Sequence, residues 1–395
     1  MDTIYFDNNA TTNIAPEVLN EMLPYLREFY GNPSSMHTFG GQLHRKIEEA
    51  RQKVAKLIGA EPEEIIFTSC GTESDNAAIM SAAESFPNKR HIVTSRVEHP
   101  AVLNFCKHLA RKGYRVTYIP VTKHGQINMD ELLKALDEDT LIVSLMYANN
   151  ETGVIFPIAE IVDFLKEKGI LLHTDAVQAV GKVPIDISKM PVDMLSLSGH
   201  KLHAPKGVGA LYVRKGTRFH PYIIGGHQEH GRRAGTENVA SIAALGKACE
   251  LAGENLYKEM QYLKGLRDKI ENALLKLCPN TIINGDTNNR LPNTTNISFE
   301  YVEGEAILLR LNEFGICASS GSACTSGSLE PSHVLRAMGV PATAIHGSIR
   351  FSLSRYNTEA EVDKVIEVMP AIIKELRQFS PFGRDKQKTD SLSKN

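Results

Sequence analysis

Two kinds of hydrophobic pattern alternate along the chain between residues 65 and 174. Short runs of consecutive β-branched and apolar residues, typical of buried strands, are separated by longer segments whose apolar positions recur at helical spacing. Strict alternation of strand and helix predicts an α/β fold with a largely parallel sheet covered by helices on both faces. In such sheets, ligands bind beyond the carboxyl ends of the strands. The strand-like runs cover 65–68, 91–95, 116–119, 141–147 and 170–174, and the helical patterns lie near 73–84, 101–112, 130–137 and 158–168.

The region before this alternation contains a polar turn and two helical patterns. Residues 7–12 form a compact polar turn after a short apolar run, and their backbone groups could meet a ligand. Apolar spacing predicts a helix from Pro16, which we expect Pro24 to kink or shorten. A second amphipathic helix is predicted over 43–58, and Gly59 ends it.

The pattern changes near Thr236. A long helical region then precedes a second β/α portion, and the last helix begins at a capping box, 358–361. Residues 380–395 have too little apolar content to fold. The elements predicted in this part are a helix over 237–277, strands at 295–299 and 347–353, and a helix at 303–312.

Length, charge and cysteine content exclude several classes of protein. The 395 residues suffice for two domains, and a net charge of -2 gives no reason to expect nucleic acid or an anionic membrane as a partner. The sequence shows no targeting region and no apolar run that could span a bilayer, so we expect a soluble, cytoplasmic protein. Six scattered cysteines without a Cys-x-x-Cys pair indicate a reducing compartment rather than a disulfide scaffold or a zinc ribbon.

A lysine and a cysteine are the strongest candidates for chemistry. Lys201 ends the apolar run 192–201, just after a Ser-Gly-His turn and just before the strand-like segment 205–213. A primary amine held between two buried strands can lose enough hydration to form an imine with an aldehyde cofactor. Cys324 lies in the Ser/Gly-rich stretch 319–328, and we interpret it as the thiol that takes sulfur from a substrate.

Polar residues follow several of the predicted strands. Asp175 can keep a pyridine nitrogen protonated and Gln178 can reach an adjacent ring substituent, although a helix cap is the structural alternative for Asp175. The small-residue turn around Gly71 and Thr72 opens a helix and suits a phosphate, with an ordinary N-cap by Thr72 as the alternative.

Three further residues are candidates for binding a ligand, and two of them also have a structural interpretation. His99 could stack on a cofactor ring and move protons, or be an ordinary structural histidine. Asn150 follows a strand and could donate to a carboxylate or a ring oxygen. Arg350 lies in an apolar strand and needs an anion, which is either a substrate carboxylate or a salt-bridge partner. The pairs His200/His203 and His227/His230 lack a His-Glu-x-x-His context, so we expect no metal.

Several motifs then match a known family. The sequence closely resembles NifS/IscS-type cysteine desulfurases of the pyridoxal-phosphate-dependent aminotransferase class V family. The resemblance extends from residue 5 to residue 355, so it covers nearly the whole chain except the tail. Its most specific motifs are Gly31-Asn32-Pro33-Ser34-Ser35-Met36-His37, Ser198-Gly199-His200-Lys201, Arg233-Ala234-Gly235-Thr236-Glu237-Asn238 and 319–327 around Cys324.

The resemblance implies the aminotransferase type I fold. This fold has a largely parallel seven-stranded sheet with helices on both faces, plus a smaller α/β domain. We expect a large cofactor-binding domain over 13–258, a small domain formed by 1–12 and 259–379, and a disordered tail over 380–395. The resemblance also implies a homodimer with its sites at the subunit interface.

The resemblance also assigns roles to individual residues. Lys201 would be the Schiff-base lysine for pyridoxal 5'-phosphate, Cys324 the sulfur acceptor, and Asn150 and Arg350 the groups that hold the substrate carboxylate. No metal site is implied, although Cys324 could contact an iron-sulfur cluster transiently. The cofactor would be held by Gly71, Thr72, His99, Asp175, Gln178, Ser198, His200 and Lys201, with Thr236 of the other subunit.

The implied reaction converts L-cysteine to L-alanine and leaves sulfane sulfur on the enzyme for iron-sulfur cluster assembly. The expected sulfur acceptor is a scaffold protein of NifU/IscU type. Ser-Gly-Ser after Thr325 and the divergent tail favour the NifS branch, which serves nitrogenase, whereas Cys70 departs from the glycine or alanine expected in many relatives. Two alternatives stay open: another class V enzyme, such as a selenocysteine lyase or an aminotransferase, and a catalytically idle scaffold that relays persulfides.

Overall fold

The computed structural model describes residues 3–320 and 330–380. Its strands are β1 (Ile4–Tyr5), β2 (Ile65–Thr68), β3 (His91–Ser95), β4 (Arg115–Ile119), β5 (Thr140–Met146), β6 (Leu171–Asp175), β7 (Met194–Ser198), β8 (Gly209–Val213), β9 (Thr281–Ile283), β10 (Thr294–Phe299), β11 (Ile316–Cys317) and β12 (Ser348–Ser352). Its α-helices are α1 (Pro16–Arg27), α2 (Thr38–Ile58), α3 (Gly71–Ser85), α4 (Pro100–Arg111), α5 (Met129–Ala135), α6 (Ile158–Glu167), α7 (Val239–Leu277), α8 (Gly304–Glu313), α9 (His333–Ala337), α10 (Ala342–Ile345) and α11 (Glu359–Phe379).

Seven strands form the central sheet in the order β2-β8-β7-β6-β5-β3-β4. The strands from β3 to β7 pair in parallel, while β8 runs antiparallel to its neighbours β7 and β2. Apolar side chains of α2, α6 and α7 cover one face and those of α3 and α4 cover the other. Alternate residues of β2 pack on opposite faces of the sheet: Ile65 and Phe67 pack on the first face and Ile66 packs on the second. The predicted α/β fold with a largely parallel seven-stranded sheet is confirmed.

A second apolar core surrounds the antiparallel sheet β12-β10-β9 and the parallel pair β1-β11. Phe6 from the start of the chain packs in this core with Phe299 and Phe351. Helix α7 joins the two cores, because it places Leu245 in the first and Ile270 in the second. The expected domain boundary near residue 258 stays a prediction, since α7 passes through that position without a break.

Helix α1 corrects one part of an expectation from the sequence, namely that Pro24 would shorten it, while a kink at Pro24 stays a prediction. It continues through Pro24 to Arg27, so the proline does not end it. Proline lacks the N–H that would bond to the carbonyl of Asn20, four residues earlier. Asn20 is exposed, so water can satisfy that carbonyl and the helix tolerates the lost bond. Among residues 3–320 and 330–380, every helix is too short or too polar to cross a membrane.

A buried ion pair joins α2, β2 and the segment before α7. Both nitrogens of the Arg51 guanidinium fork bond to Glu229, with Nη1 2.7 Å from Oε2 and Nη2 2.8 Å from Oε1. Arg51 Nη1 also donates to the carbonyl of Ile65, and the N–H of Phe67 donates to Glu229 Oε2. Bidentate geometry and these extra hydrogen bonds compensate the cost of burying two charges.

Replacing Glu229 with glutamine should therefore destabilise the fold strongly. Arg51 would remain buried without a counter-charge, and we expect the free energy of unfolding to fall by about 3–5 kcal/mol. Urea denaturation would measure the change. The matched control is Glu48→Gln, which removes a second, half-exposed partner of the same arginine and should cost less than about 1 kcal/mol. Equal losses of stability in the two variants would contradict the role of Glu229 as the main counter-charge of Arg51.

Candidate active site

A cavity of about 340 Å³ opens at the carboxyl ends of the central strands. Its walls come from residues at the ends of β6 and β7 and just beyond β2, β3 and β5, where the strand-end rule places ligands. Thr236 instead lines a neighbouring cavity of about 210 Å³, and Cys324 lies outside the described residues. The other residues predicted from the sequence all line the main cavity: Gly71, Thr72, His99, Asn150, Asp175, Gln178, Ser198, His200, Lys201 and Arg350.

Lys201 lies in a single 3-10 turn, Gly199–Lys201, directly after β7. Its Nζ donates to the backbone carbonyls of Asn9 at 2.5 Å and Ala10 at 2.7 Å. The turn packs tightly, because a side chain at Gly199 would meet Val208 at 2.9 Å. The chain therefore holds the amine at the cavity wall through backbone groups.

Asp175 ends β6 and is 7% exposed. Its Oδ1 accepts a hydrogen bond from the N–H of Val177 at 3.0 Å. The residues after it form turns rather than an α-helix, so the helix-cap interpretation is wrong. Burial raises the pKa of Asp175, and His99 and Lys201 oppose that rise. Gly71 allows α3 to approach this turn, since a Cβ there would lie 2.7 Å from a methyl group of Val177.

Two more carboxyls lie near Asp175. Asp75, on α3, lines the cavity, and its buried Oδ1 has no hydrogen-bond partner in the described part of the chain. Burial, followed by the charge of Asp175, raises the pKa of Asp75 well above its ordinary value. Burial also raises the pKa of Glu98 to about 8. Burial thus favours the neutral forms of Asp75 and Glu98, whereas the nearby charge of Lys201 favours the ionised form of Asp175.

A neutral histidine lies beneath the cavity in the middle of the sheet. His173 Nδ1 is 2.8 Å from Ser144 Oγ on β5, and its Nε2 is 2.9 Å from Ser196 Oγ on β7. Burial lowers the pKa of His173 to about 3, so the ring is uncharged at neutral pH. This chain of hydrogen bonds joins the three central strands two residues before Asp175.

His99 is oriented by the start of α4. Its Nδ1 accepts a hydrogen bond from the N–H of Ala101 at 3.2 Å, so the neutral ring carries its proton on Nε2. Burial lowers the pKa of His99, while Asp175 acts in the opposite direction. The side chain therefore meets the cavity as a neutral imidazole.

One side of the cavity suits an anion. Helix α3 begins there, and Cys70, rather than Thr72, is its N-cap residue without a side-chain hydrogen bond, so the N-cap interpretation of Thr72 is wrong. Ser198 Oγ is buried and lacks a partner among residues 3–320 and 330–380. His200 Nδ1 is 3.1 Å from Thr11 Oγ1, and burial lowers the pKa of this histidine to about 4. Free helix N–H groups and a free hydroxyl are ligands for a phosphate.

Arg350, on β12, combines the two alternatives considered for it. Its Nη2 lies 2.6 Å from Asp7 Oδ1, and its Nη1 donates to the carbonyl of Asn150 at 3.0 Å. Its Nε is buried and unpartnered within the described ranges. The arginine is therefore in a salt bridge and still has a donor for a second anion.

Sequence reasoning missed three residues of this site. Asp75 follows Thr72 by three positions on α3, and this helical spacing could have revealed it. Lys182 follows Gln178 by four positions and bonds to it. Asp7 pairs with an arginine 343 positions away, and no local signal predicts that contact.

The chain is similar to known proteins over nearly its whole length. The aminotransferase class V family matches residues 4–365. A cysteine desulfurase of Trichormus azollae is 61% identical over 385 residues, which cover 98% of this chain and 96% of that protein. The cysteine desulfurase NifS of Azotobacter vinelandii is 56% identical and covers 97% of this chain and 95% of its own length. A solved structure described as a NifS-like protein superposes with a TM-score of 0.90 at 43% identity, over 95% of this chain and 100% of that one.

The buried neutral histidine predicts a specific loss of stability in acid. An unfolded histidine has a pKa of about 6.5, whereas that of His173 is about 3, so unfolding takes up a proton below pH 6.5. The stability from this group is complete above pH 6.5 and declines as the pH falls toward 3. Between pH 6.5 and pH 5 the wild type should lose about 2 kcal/mol that a His173→Gln variant keeps.

Urea denaturation at both pH values would measure this difference. The control is His124→Gln, at an exposed turn, which should not change the pH dependence. Parallel pH profiles of the wild type and His173→Gln would show that His173 is not the group responsible.

Proposed function

The chain belongs to the aminotransferase class V family and is a cysteine desulfurase, and we propose that its cavity performs the reaction with pyridoxal 5'-phosphate. The observation that carries this proposal is the meeting of three groups in one cavity. Lys201 offers an amine for the aldehyde, Asp175 an acid for the ring nitrogen, and Arg350 a guanidinium for the substrate carboxylate.

The described residues fit the cofactor in size and in chemistry. The cavity of about 340 Å³ lies within the range of roughly 300–1,000 Å³ usual for small-molecule sites. The unpartnered hydroxyl of Ser198 lies where the first N–H groups of α3 are free, and a phosphate would satisfy both. Asp175 is a buried acid that a protonated ring nitrogen would neutralise.

Each residue would hold one part of the cofactor. When bound, pyridoxal phosphate supplies an electron sink for the negative charge that develops at the substrate Cα. Lys201 would hold the aldehyde, Asp175 the ring nitrogen, Gln178 the ring oxygen and His99 the ring face. The phosphate would be held by Gly71, Thr72, Ser198 and His200, helped by Thr236 of the partner subunit.

The side chains of the cavity then orient the substrate and move protons. Arg350 and Asn150 would hold the carboxylate of L-cysteine, with Asp7 fixing the plane of the guanidinium. Lys201 would take the proton from the substrate Cα at Nζ, and the carbonyls of Asn9 and Ala10 keep that nitrogen at the cavity wall. Neutral His99 would donate or accept a proton at Nε2.

Cys324 would accept the sulfur. Its thiolate attacks the sulfur of the substrate, so a sulfur–sulfur bond forms while the bond between Cβ and sulfur breaks. The electron pair of the broken bond returns to the carbon skeleton, which is protonated to L-alanine. One cysteine and one thiol thus give one alanine and one persulfide, and the balance needs no external oxidant.

We further propose that the protein works as a homodimer. Its α1 and α2 region exposes a cluster of apolar side chains to water, including Leu26 at 55% exposure, Tyr30 at 75% and Met36. Clusters of this kind are typical of protein interfaces. Thr236 lies outside the main cavity of its own chain, which agrees with a role in the partner's site. Sedimentation as a monomer at micromolar concentration would contradict this proposal.

The sulfur would serve iron-sulfur cluster assembly in the cytoplasm. The expected acceptor is a scaffold protein of NifU/IscU type, and the similarity to NifS of Azotobacter vinelandii favours a role in nitrogen fixation. Transfer of labelled sulfur to such a scaffold, compared with transfer to an unrelated thiol protein, would test the partner.

Removing the hydroxyl of Ser198 should weaken cofactor binding without affecting the fold. One hydrogen bond to a charged phosphate would be lost, so Ser198→Ala should bind pyridoxal phosphate about tenfold less tightly. Absorbance titration of the cofactor-free protein would give the dissociation constant. Ser188→Ala, which removes an exposed hydroxyl bonded to Asp186, should bind as the wild type does. Equal affinities for all three proteins would place the phosphate elsewhere.

Replacing Cys324 with serine should stop sulfur transfer. After incubation with L-cysteine, mass spectrometry should find an added sulfur, about 32 Da, on the peptide containing 319–328 of the wild type. The Cys324→Ser variant should lack the adduct and release no sulfide, because a hydroxyl is a poor acceptor of sulfur, yet its cofactor absorbance should be retained. Cys317→Ser should behave as the wild type. Full desulfurase activity in Cys324→Ser would refute the proposed mechanism.

A further inference from the structure

A second lysine contacts one of the cavity residues from outside the cavity. Lys182 follows Gln178 by four positions in the turns after β6, and its Nζ donates to Gln178 Oε1 at 2.8 Å. Lys182 does not line the main cavity in the described part of the chain. It lines a smaller cavity of about 30 Å³, whose wall also includes Lys201.

The nitrogen end of the Gln178 carboxamide also makes a hydrogen bond. Gln178 Nε2 donates to the carbonyl oxygen of Asn9 at 2.9 Å, and Lys201 Nζ donates to that same oxygen. A backbone carbonyl can only accept, and an ammonium group can only donate. The two contacts therefore determine which end of the amide is nitrogen. Its oxygen faces Lys182, and its NH₂ group faces Asn9, which lines the main cavity.

We propose that Lys182 is a positioning residue that holds the NH₂ group of Gln178 toward the ring oxygen of the cofactor. This inference rests on the proposed function. The NH₂ group has two protons, and the Asn9 carbonyl takes one of them. The second proton is left for a ligand in the cavity. A flipped carboxamide would instead turn an acceptor toward the ring oxygen, and two acceptors repel each other.

The surroundings of Lys182 explain how it can have this role without binding the cofactor. Among the side chains of 3–320 and 330–380, no carboxylate lies within 4 Å of Lys182 Nζ. Within these ranges, no ion pair therefore competes with the hydrogen bond from Lys182 to Gln178. Burial, with the positive charges of Lys201 and Arg350, lowers the pKa of Lys182 to about 7. Either form of the group carries N–H donors for Gln178 Oε1.

The absorbance of the loaded protein reports on this contact. Pyridoxal phosphate absorbs at longer wavelength when its ring oxygen is deprotonated than when it is protonated, and an N–H donor favours the deprotonated form. In Lys182→Met the ratio of the long-wavelength to the short-wavelength band should fall about tenfold, the effect of losing one hydrogen bond to a charged oxygen. The value of kcat should fall with it, while KM for cysteine stays within about twofold because Arg350 and Asn150 are untouched.

A double-mutant cycle separates positioning from a general structural effect. If Lys182 acts through Gln178, then Lys182→Met should change the band ratio about tenfold in the wild type and not at all in a Gln178→Ala background. Lys182→Arg keeps a donor and should keep the ratio within about twofold of the wild type. The matched control is Lys189→Met, an exposed lysine a few residues later, which should leave the spectrum unchanged.

The outcomes distinguish this inference from the function on which it rests. A wild type that takes up no pyridoxal phosphate would overturn both. If the protein takes up the cofactor normally but Lys182→Met leaves the band ratio unchanged, only the role of Lys182 is overturned. The same holds if Lys182→Met changes the ratio equally in the wild-type and Gln178→Ala backgrounds. If Lys182→Met does not fold, Lys182→Gln replaces it in the same cycle and is judged by the same criterion.

Discussion

The contact between Lys201 and the backbone of residues 9 and 10 is the constraint on which the site depends. The N-terminal segment starts in the second core, where β1 pairs with β11, and then crosses to the carboxyl ends of the central strands, beside β7. There the N–H of Thr12 donates to the carbonyl of His200, and Asn9 bonds to Ser352 and Thr294. The segment thus bonds to both cores at the point where Lys201 meets it. The amine is oriented by tertiary structure that forms only when the two cores pack together.

Burial favours the neutral forms of most of the titratable side chains around this contact. Burial favours the neutral forms of Asp75, Glu98 and His173, and each of them is compensated by hydrogen bonds or by a shifted pKa. Asp175 is buried as well, but it alone of the three acids has Lys201 among the charges that favour its ionised form. A single carboxylate beneath the cavity is what a protonated ring nitrogen requires. Because burial favours the neutral forms of Asp75 and Glu98, the negative charge is concentrated on Asp175.

Much of the fold and of the site could be predicted because the responsible signals are local. Each strand of the central sheet is a short apolar run, and the carboxyl-end rule then brings Asp175, Ser198 and Asn150 together without knowledge of the strand order. The contacts of Asp7 with Arg350 could not be predicted, because they join residues at opposite ends of the chain. Pro24 does not shorten α1, against one part of the expectation, because water can satisfy the exposed carbonyl of Asn20. The N-cap alternative for Thr72 is wrong because α3 starts at Cys70 without any side-chain cap.

The residues on either side of 321–329 are bonded close to the main cavity. Before this segment, Ser319 pairs with Arg350 through two backbone hydrogen bonds. After it, Ser332 Oγ donates to Glu151 Oε2 at 2.5 Å, and His333 Nε2 donates to the carbonyl of Glu98 at 3.0 Å. These three contacts reach Arg350 and the chain neighbours of Asn150 and His99. Cys324 follows Ser320 by four positions, and an extended chain of that length spans about 14 Å at most. The residues on both sides of 321–329 are therefore fixed next to the main cavity.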